Sequence, residues 1–246
     1  MTGKFGLKDK IYELSNVFIC LPFVAIGWID RDKLKEKNIT VAYCPGSNKD
    51  AVSEWIMAMI LNLFRNLPGW LNKKGSSEHS IPKDNLGLTG KNVCILGAGN
   101  IGSRVGKLCQ AFDMNVDFFR RNDSLVEKVK NADVVVDCLG SNSTTEGMIN
   151  KYFFQSLKRG SFFITVTGPV ICDIDAMLEA LDQGILAGAA HDCGGISVGN
   201  TDDPFYKKLA SHPKVLATPH IAYNTDVMSR VSNDMAIANI EAWLNG

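Results

Sequence analysis

An α/β protein built on a doubly wound parallel sheet is predicted by three features of this sequence. Six short apolar runs read as strands: Val93–Leu96, Val116–Phe119, Val134–Cys138, Phe162–Val166, Leu186–Ala190 and Val215–Thr218. Helical patterns lie between them near residues 100–112, 124–131, 150–158, 174–183 and 203–210. The first run leads directly into Gly97-Ala98-Gly99-Asn100-Ile101-Gly102. Strands that alternate with helices form a parallel sheet covered on both faces, and strands buried on both faces need nearly continuous apolar runs.

Ahead of this region the chain is less regular. Residues 1–16 give a short helical piece, and Val17–Leu21 reads as a strand. Asp30 to Lys37 is helical and charged, and Thr40–Tyr43 is another short strand. Pro45-Gly46 makes a turn, after which Ser47 is predicted to cap a helix with Asp50 three residues on. From Ala51 to Phe64 that helix is apolar nearly all round, with Val52, Trp55, Ile56, Met57, Met59, Ile60, Leu61 and Leu63. Such a helix must be covered on every side. It is either a core helix or one wedged between two domains or two subunits, and the second reading is favoured. Pro68 to Leu88 carries Pro, Gly, Ser and mixed charges without period, and is predicted to be an extended connector. Asn224 or Thr225 is expected to cap a last helix that reaches about Leu244.

The 246 residues suffice for one large domain or two modest ones, and 46% hydrophobic content supplies an ample core. A formal net charge of +0 without a basic block argues against nucleic acid and against an anionic membrane surface. The apolar run Val17 to Ile29 is broken by Pro22 and Gly27, too short to span a bilayer, and Met1-Thr2-Gly3-Lys4 does not open a signal-peptide pattern. Seven scattered cysteines without a C-x-x-C pair fit a reduced, cytoplasmic setting better than disulfides or a metal site.

The glycine run carries the functional expectation. Gly97 allows a tight turn, Gly99 leaves bare backbone for a pyrophosphate, and Gly102 lets helix and strand pack closely. Asn100 and Ile101 begin the helix, whose unpaired N–H groups and dipole attract phosphate. In a dinucleotide-binding fold of this Rossmann type the second strand ends in a carboxylate that holds the adenosine ribose. Here it ends in Arg120-Arg121, with Asp117 earlier and pointing away. A guanidinium pairs with a 2′-phosphate, so NADP(H) is expected ahead of NAD(H). The competing reading is two solvated surface arginines.

Several ordered motifs carry a family resemblance. They are Pro45-Gly46, Gly97 to Gly102, Thr144-Thr145-Glu146-Gly147-Met148-Ile149-Asn150, Leu178-Glu179-Ala180-Leu181, Ala187-Gly188-Ala189-Ala190-His191-Asp192 and Thr218-Pro219-His220-Ile221-Ala222. Together the chain resembles the D-isomer-specific 2-hydroxyacid dehydrogenases from about Ile29 onward. The resemblance implies a dinucleotide domain at 73–225, inserted in a truncated flavodoxin-like substrate and dimerisation domain at 1–72 and 226–246 whose opening βα portion is missing. It also implies a homodimer around the apolar helix and a small-molecule substrate. His220 matches the acid/base histidine beside the nicotinamide, a task suited to imidazole. Asp192 matches the aspartate near the carboxamide, and Leu139 and Thr167 match cofactor-lining positions.

The chain also departs from that pattern. Gly168 in Thr165-Val166-Thr167-Gly168-Pro169-Val170 stands where the resemblance implies a substrate-clamping arginine. Ser197 stands near the place of the glutamate that partners the histidine, and Phe23-Val24-Ala25-Ile26-Gly27 is apolar where a glycine-rich loop would hold the substrate carboxylate. Each lost charge-assisted contact costs on the order of 3 kcal/mol at a reacting centre. Two functions therefore remain open: an oxidoreductase acting on a less anionic hydroxy or keto compound, or a catalytically weak NADP-binding protein with a regulatory role. His191 is expected to be an ordinary strand-end histidine, and Cys193 an unreactive thiol.

Overall fold

The computed structural model describes residues 10–27, 29–71 and 85–246. Its contacts fall into two compact units, one from the described residues of Met1–Ala51 with Tyr223–Gly246, the other Val52–Ala222. In the smaller unit, one turn of 3-10 helix at Lys10–Glu13 precedes β1 (Val17–Leu21), α1 (Arg31–Glu36) and β2 (Ile39–Tyr43). Residues 1–9 of the expected first helical piece lie outside the described residues. β1 and β2 pair in parallel, Val17 opposite Ile39. Asp30 caps α1 by accepting the Asp32 and Lys33 N–H groups, which fixes the helix start.

α2 (Lys49–Phe64) begins one residue later than a Ser47 cap would place it. Ser47 is not its cap, because its hydroxyl accepts a hydrogen bond from Ser232 at 2.9 Å. Only Glu54 and Ala58 of α2 are exposed, in keeping with its apolar surface. The division between units falls inside α2 rather than after it. Beyond Ala51 the helix packs into the larger unit, where Met57 meets Cys109 at 3.6 Å and Phe64 lies against Phe162. The expected connector opens with a further helix, α3 (Leu67–Leu71). Asn66 takes a left-handed conformation that ends α2, and proline is tolerated at Pro68 in the first turn of the next helix. The remainder of the connector, 72–84, lies outside the described residues.

The larger unit alternates strands and helices: β3 (Asn92–Leu96), α4 (Asn100–Ala111), β4 (Asn115–Phe119), α5 (Leu125–Val129), β5 (Val134–Asp137), α6 (Lys151–Gln155), β6 (Ser161–Thr165), α7 (Ile174–Asp182), β7 (Leu186–Asp192), α8 (Pro204–Ala210) and β8 (Val215–Thr218). The six strands form one parallel sheet in the order β4-β3-β5-β6-β7-β8. This is the Rossmann-like α/β sheet that the alternation predicts. β5 is buried at all four positions and β6 at all five, which accounts for their unbroken apolar runs. Cys138 and Val166 fall just outside the strands, whereas β7 runs two residues further and carries His191 and Asp192.

α9 (Asp226–Leu244) returns the chain to the smaller unit, capped by Thr225 rather than Asn224 through the Met228 N–H. There Ser232 reaches Ser47, Asn239 donates to the Tyr43 carbonyl, and Trp243 stacks on Phe18 at 4.8 Å. Among the described residues no helix is long and apolar enough to cross a membrane. All seven cysteines carry free thiols, and no group of three or more metal-binding side chains gathers among the described residues.

Candidate functional site

Every expected site residue lies at the carboxyl edge of the six-stranded sheet. The strand order reverses between β3 and β5, and the crevice at such a switch point is where α/β sheets bind ligands. The glycine turn follows β3, Leu139 follows β5, Thr167 follows β6, Asp192 ends β7 and His220 follows β8.

The glycines differ in what surrounds them. Gly97 has φ +98° and a side chain there would lie 3.0 Å from the Cys138 carbonyl. A Cβ on Gly102 would sit 1.9 Å from the Gly97 carbonyl, so the helix packs on the turn only without one. At Gly99, by contrast, nothing lies within 4 Å of that position. Gly99 is also the N-cap of α4 and offers no side-chain hydrogen bond, so donors in the first turn, around Asn100 and Ile101, lack a side-chain cap. A tight turn, open space over bare backbone and an uncapped helix start fit the pyrophosphate of a dinucleotide.

At the end of β4, Asp123 accepts the Arg120 N–H and donates its own N–H to the Arg120 carbonyl. This closed turn leaves Arg120 and Arg121 exposed, with no side-chain partner for either guanidinium among the described residues. Asp117 is held on the other side by Lys128 at 2.8 and 3.0 Å, which takes it out of contention for the ribose.

Asp192 is 3% exposed and heavily used. It accepts from the Thr218 hydroxyl at 2.6 Å, the Ile221 N–H at 2.8 Å and the Ala222 N–H at 2.9 Å. Its carboxylate therefore fastens the turn that carries His220. His220 itself has φ +57°, a left-handed backbone that costs free energy for a residue with a Cβ, and the Asp192 clamp helps to hold it. Its Nδ1 lies 3.0 Å from the Ile196 carbonyl. A carbonyl can only accept, so Nδ1 carries the proton and Nε2 the lone pair in the neutral ring. Ser197, one residue on, is exposed, and the Ile196 backbone carbonyl is one partner of the histidine ring.

Sequence reasoning passed over Asp137, counted as the end of an apolar strand. It is fully buried. Its Oδ2 accepts from Thr167 at 2.6 Å and Thr165 at 2.9 Å, and its Oδ1 from the Leu139 N–H at 3.1 Å. Burial pushes the carboxyl pKa up, against the pull of its hydrogen bonds from Thr167, Leu139 and Thr165. The available signal was a carboxylate closing a β-branched run opposite a Thr-x-Thr.

Two residues that flank Asp192 in the chain are inert. His191 is completely buried, meets no hydrogen-bond partner at either ring nitrogen among the described residues, and is lowered by burial to a pKa of about 4. Burial pushes the Cys193 thiol up to about 12, which removes it as a nucleophile. A groove of about 660 Å³ lies at the other end of the strands, lined by Leu63, Gly160, Phe162, Gly188 and Leu216. That end of a parallel sheet is not where cofactors bind.

Comparison with known proteins places this arrangement. The family model described as D-isomer specific 2-hydroxyacid dehydrogenase, NAD binding domain, matches residues 57–222. The chain belongs to this family. Among its relatives are the D-3-phosphoglycerate dehydrogenases of Haemophilus influenzae and Bacillus subtilis, each 29% identical over 89% and 86% of this chain. The chain spans only 58% and 43% of the length of those two proteins. The D-lactate dehydrogenase of Streptococcus pyogenes is 26% identical over 89% of this chain and 75% of its own length.

Solved structures share the fold. D-lactate dehydrogenase with NAD+ from Lactobacillus jensenii superposes with a TM-score of 0.81 at 24% identity, over 98% of this chain and 79% of the other. An acyclic imino acid reductase in complex with NADPH and D-Arg gives 0.80 at 22% identity, over 93% and 76%. Within this dehydrogenase framework Gly168 presents no side chain to the crevice. Among the described residues a Cβ there would meet just the Gly194 carbonyl, at 3.5 Å, an ordinary contact.

Proposed function

We propose that this chain binds NADP(H) along the switch-point crevice and acts as an oxidoreductase on a small hydroxy or keto compound less anionic than a 2-keto acid. The observation that carries the reading is the pair Arg120 and Arg121, held out by the Asp123 turn at the end of β4 with no side-chain partner among the described residues. Gly97, Gly99, Asn100, Ile101 and Gly102 would take the pyrophosphate, and Leu139, Thr167 and Asp192 would line the nicotinamide end. The bound nucleotide supplies or accepts hydride. His220 Nε2 would hold and release the proton at the substrate oxygen, with Nδ1 fixed on Ile196. Gly168, standing where a substrate-clamping arginine is expected, favours modest turnover, and it sustains a second reading in which the chain binds nucleotide with little catalysis.

The smaller unit is proposed as the substrate-binding and dimerisation part, with a homodimer formed around α2. Fluorescence titration tests the cofactor: NADPH should bind more tightly than NADH, by about tenfold or more for a 2′-phosphate that gains charge-assisted contacts. Changing Arg120 and Arg121 to Ala should remove that preference, and a wild-type preference for NADH would overturn it. Turnover is tested by NADPH oxidation with glyoxylate, hydroxypyruvate and uncharged aldehydes. Activity that survives His220→Ala would discard the proton donor, and tight NADPH binding without turnover would select the second reading.

A further inference from the structure

The cluster around Asp137 lies next to the proposed nicotinamide end of the crevice. The Cys138 N–H donates to the Leu96 carbonyl at 3.0 Å, and the Cys138 carbonyl closes over Gly97. The segment 137–139 is thus packed directly on the glycine turn. On its other side, Asp137 is opposite Thr165 in the strand register, and Thr165 is opposite His191, the residue before Asp192. The backbone of Thr167 and Gly168 lies against Gly194, with contacts of 3.3–3.5 Å to a Cβ there.

With the Asp137 carboxylate ionised, both threonine hydroxyls can donate to Oδ2, and the 3.0 Å contact between the Thr165 and Thr167 oxygens then carries no proton. The Leu139 N–H can only donate, and it uses Oδ1. The Thr167 N–H donates to the Thr165 oxygen at 3.0 Å, so the Thr165 proton is free to point at Oδ2. The 2.6 Å separation between the Thr167 oxygen and Oδ2 is that of a charge-assisted O–H···O bond. With its proton committed to Asp137, the Thr167 oxygen has lone pairs and no donor left. Asp192 has little capacity to spare, since its two oxygens already accept three donors from the His220 turn.

We propose that Asp137 is a positioning residue which, by taking the hydroxyl proton of Thr167, makes that oxygen an acceptor for the amide NH₂ of the cofactor's carboxamide. The inference rests on the reading that the crevice holds a nicotinamide nucleotide, and it goes beyond it by assigning carboxamide recognition to a buried relay. The carboxylate never touches the ligand. It acts through Thr167, with Thr165 locking the pair.

The test is calorimetric titration of the full chain with NADPH and with its 3-acetylpyridine counterpart, which carries a methyl group in place of NH₂. The wild-type protein should prefer NADPH by about tenfold, the worth of one well-made neutral hydrogen bond. Thr167→Val should lose that preference and Thr167→Ser keep it. Asp137→Asn should lose it although Thr167 is untouched, because an amide opposes either the Leu139 N–H or the threonine protons. Should Asp137→Asn fail to fold, Asp137→Ser carries the same expectation. A folded Asp137 variant that still prefers NADPH by tenfold would overturn the proposal, as would a wild-type protein that binds both nucleotides equally. Failure of the wild type to bind either nucleotide would instead refute the cofactor reading, and this inference with it.

Discussion

A neutral imidazole sealed in an apolar core leaves a donor and an acceptor without partners, and His191 is in that position. The folded state keeps this ring neutral down to about pH 4, whereas an unfolded chain protonates it near 6.5. Between those values the unfolded state binds more protons, so stability falls as the pH drops through that window. The span of roughly 2.5 units corresponds to about 3 kcal/mol, and below about pH 4 the dependence ends because both states are protonated. His191→Leu should abolish this slope, since it replaces the titrating ring with an apolar side chain of similar volume. Urea unfolding at pH 7 and pH 5 measures the slope. Gly168 offers a second test at this scale. Gly168→Arg should fold, because a Cβ there meets ordinary contact and the backbone is not left-handed, and should lower KM for glyoxylate about tenfold or more if a guanidinium there meets the substrate carboxylate. Steady-state kinetics with glyoxylate and with an uncharged aldehyde reads the difference.

At the level of elements, α4 and the turn before it separate folding from binding. Gly102→Ala would press a methyl group into the Gly97 carbonyl and should cost several kcal/mol, seen as a large drop in melting temperature. Gly99→Ala meets no protein atom within 4 Å and should leave the melting temperature nearly unchanged while it weakens nucleotide binding sharply. Equal losses of stability in both variants would contradict the division of roles. The other helices show why so much of the architecture was legible. Asp30, Ser124, Asn150, Asp173, Asp203 and Thr225 each accept a backbone N–H at a helix start, so the sequence marks where those helices begin. Ser47 carries the same mark and misleads, because its hydroxyl pairs with Ser232 across 185 residues of chain, a long-range contact that no local pattern announces. The helix Leu67–Leu71 was hidden for a related reason: proline and glycine read as breakers unless the left-handed Asn66 before them is known.

Over the whole molecule, residues following six different strands converge on one edge of the sheet, and strand order alone brings them there. The glycine turn, the two arginines and His220 were readable because each sits in a short motif next to a recognisable strand. The Asp137 network was not, since its partners are 28 and 30 residues away and its aspartate looked like the end of an apolar run. A ligand that binds the folded chain stabilises it by mass action. NADPH at about a hundred times its Kd should add about 2.7 kcal/mol and raise the melting temperature by several degrees. NADH at the same concentration should do much less, and equal shifts from both would argue against the 2′-phosphate reading.

The vacancy above Gly168 has a consequence in mutational space. Every glycine codon lies one base change from an arginine codon, and among the described residues the first side-chain carbon at this position meets just an ordinary contact with Gly194. A lineage of this chain placed under selection to grow on a carboxylate would be expected to reach that exchange early, without first repacking its core.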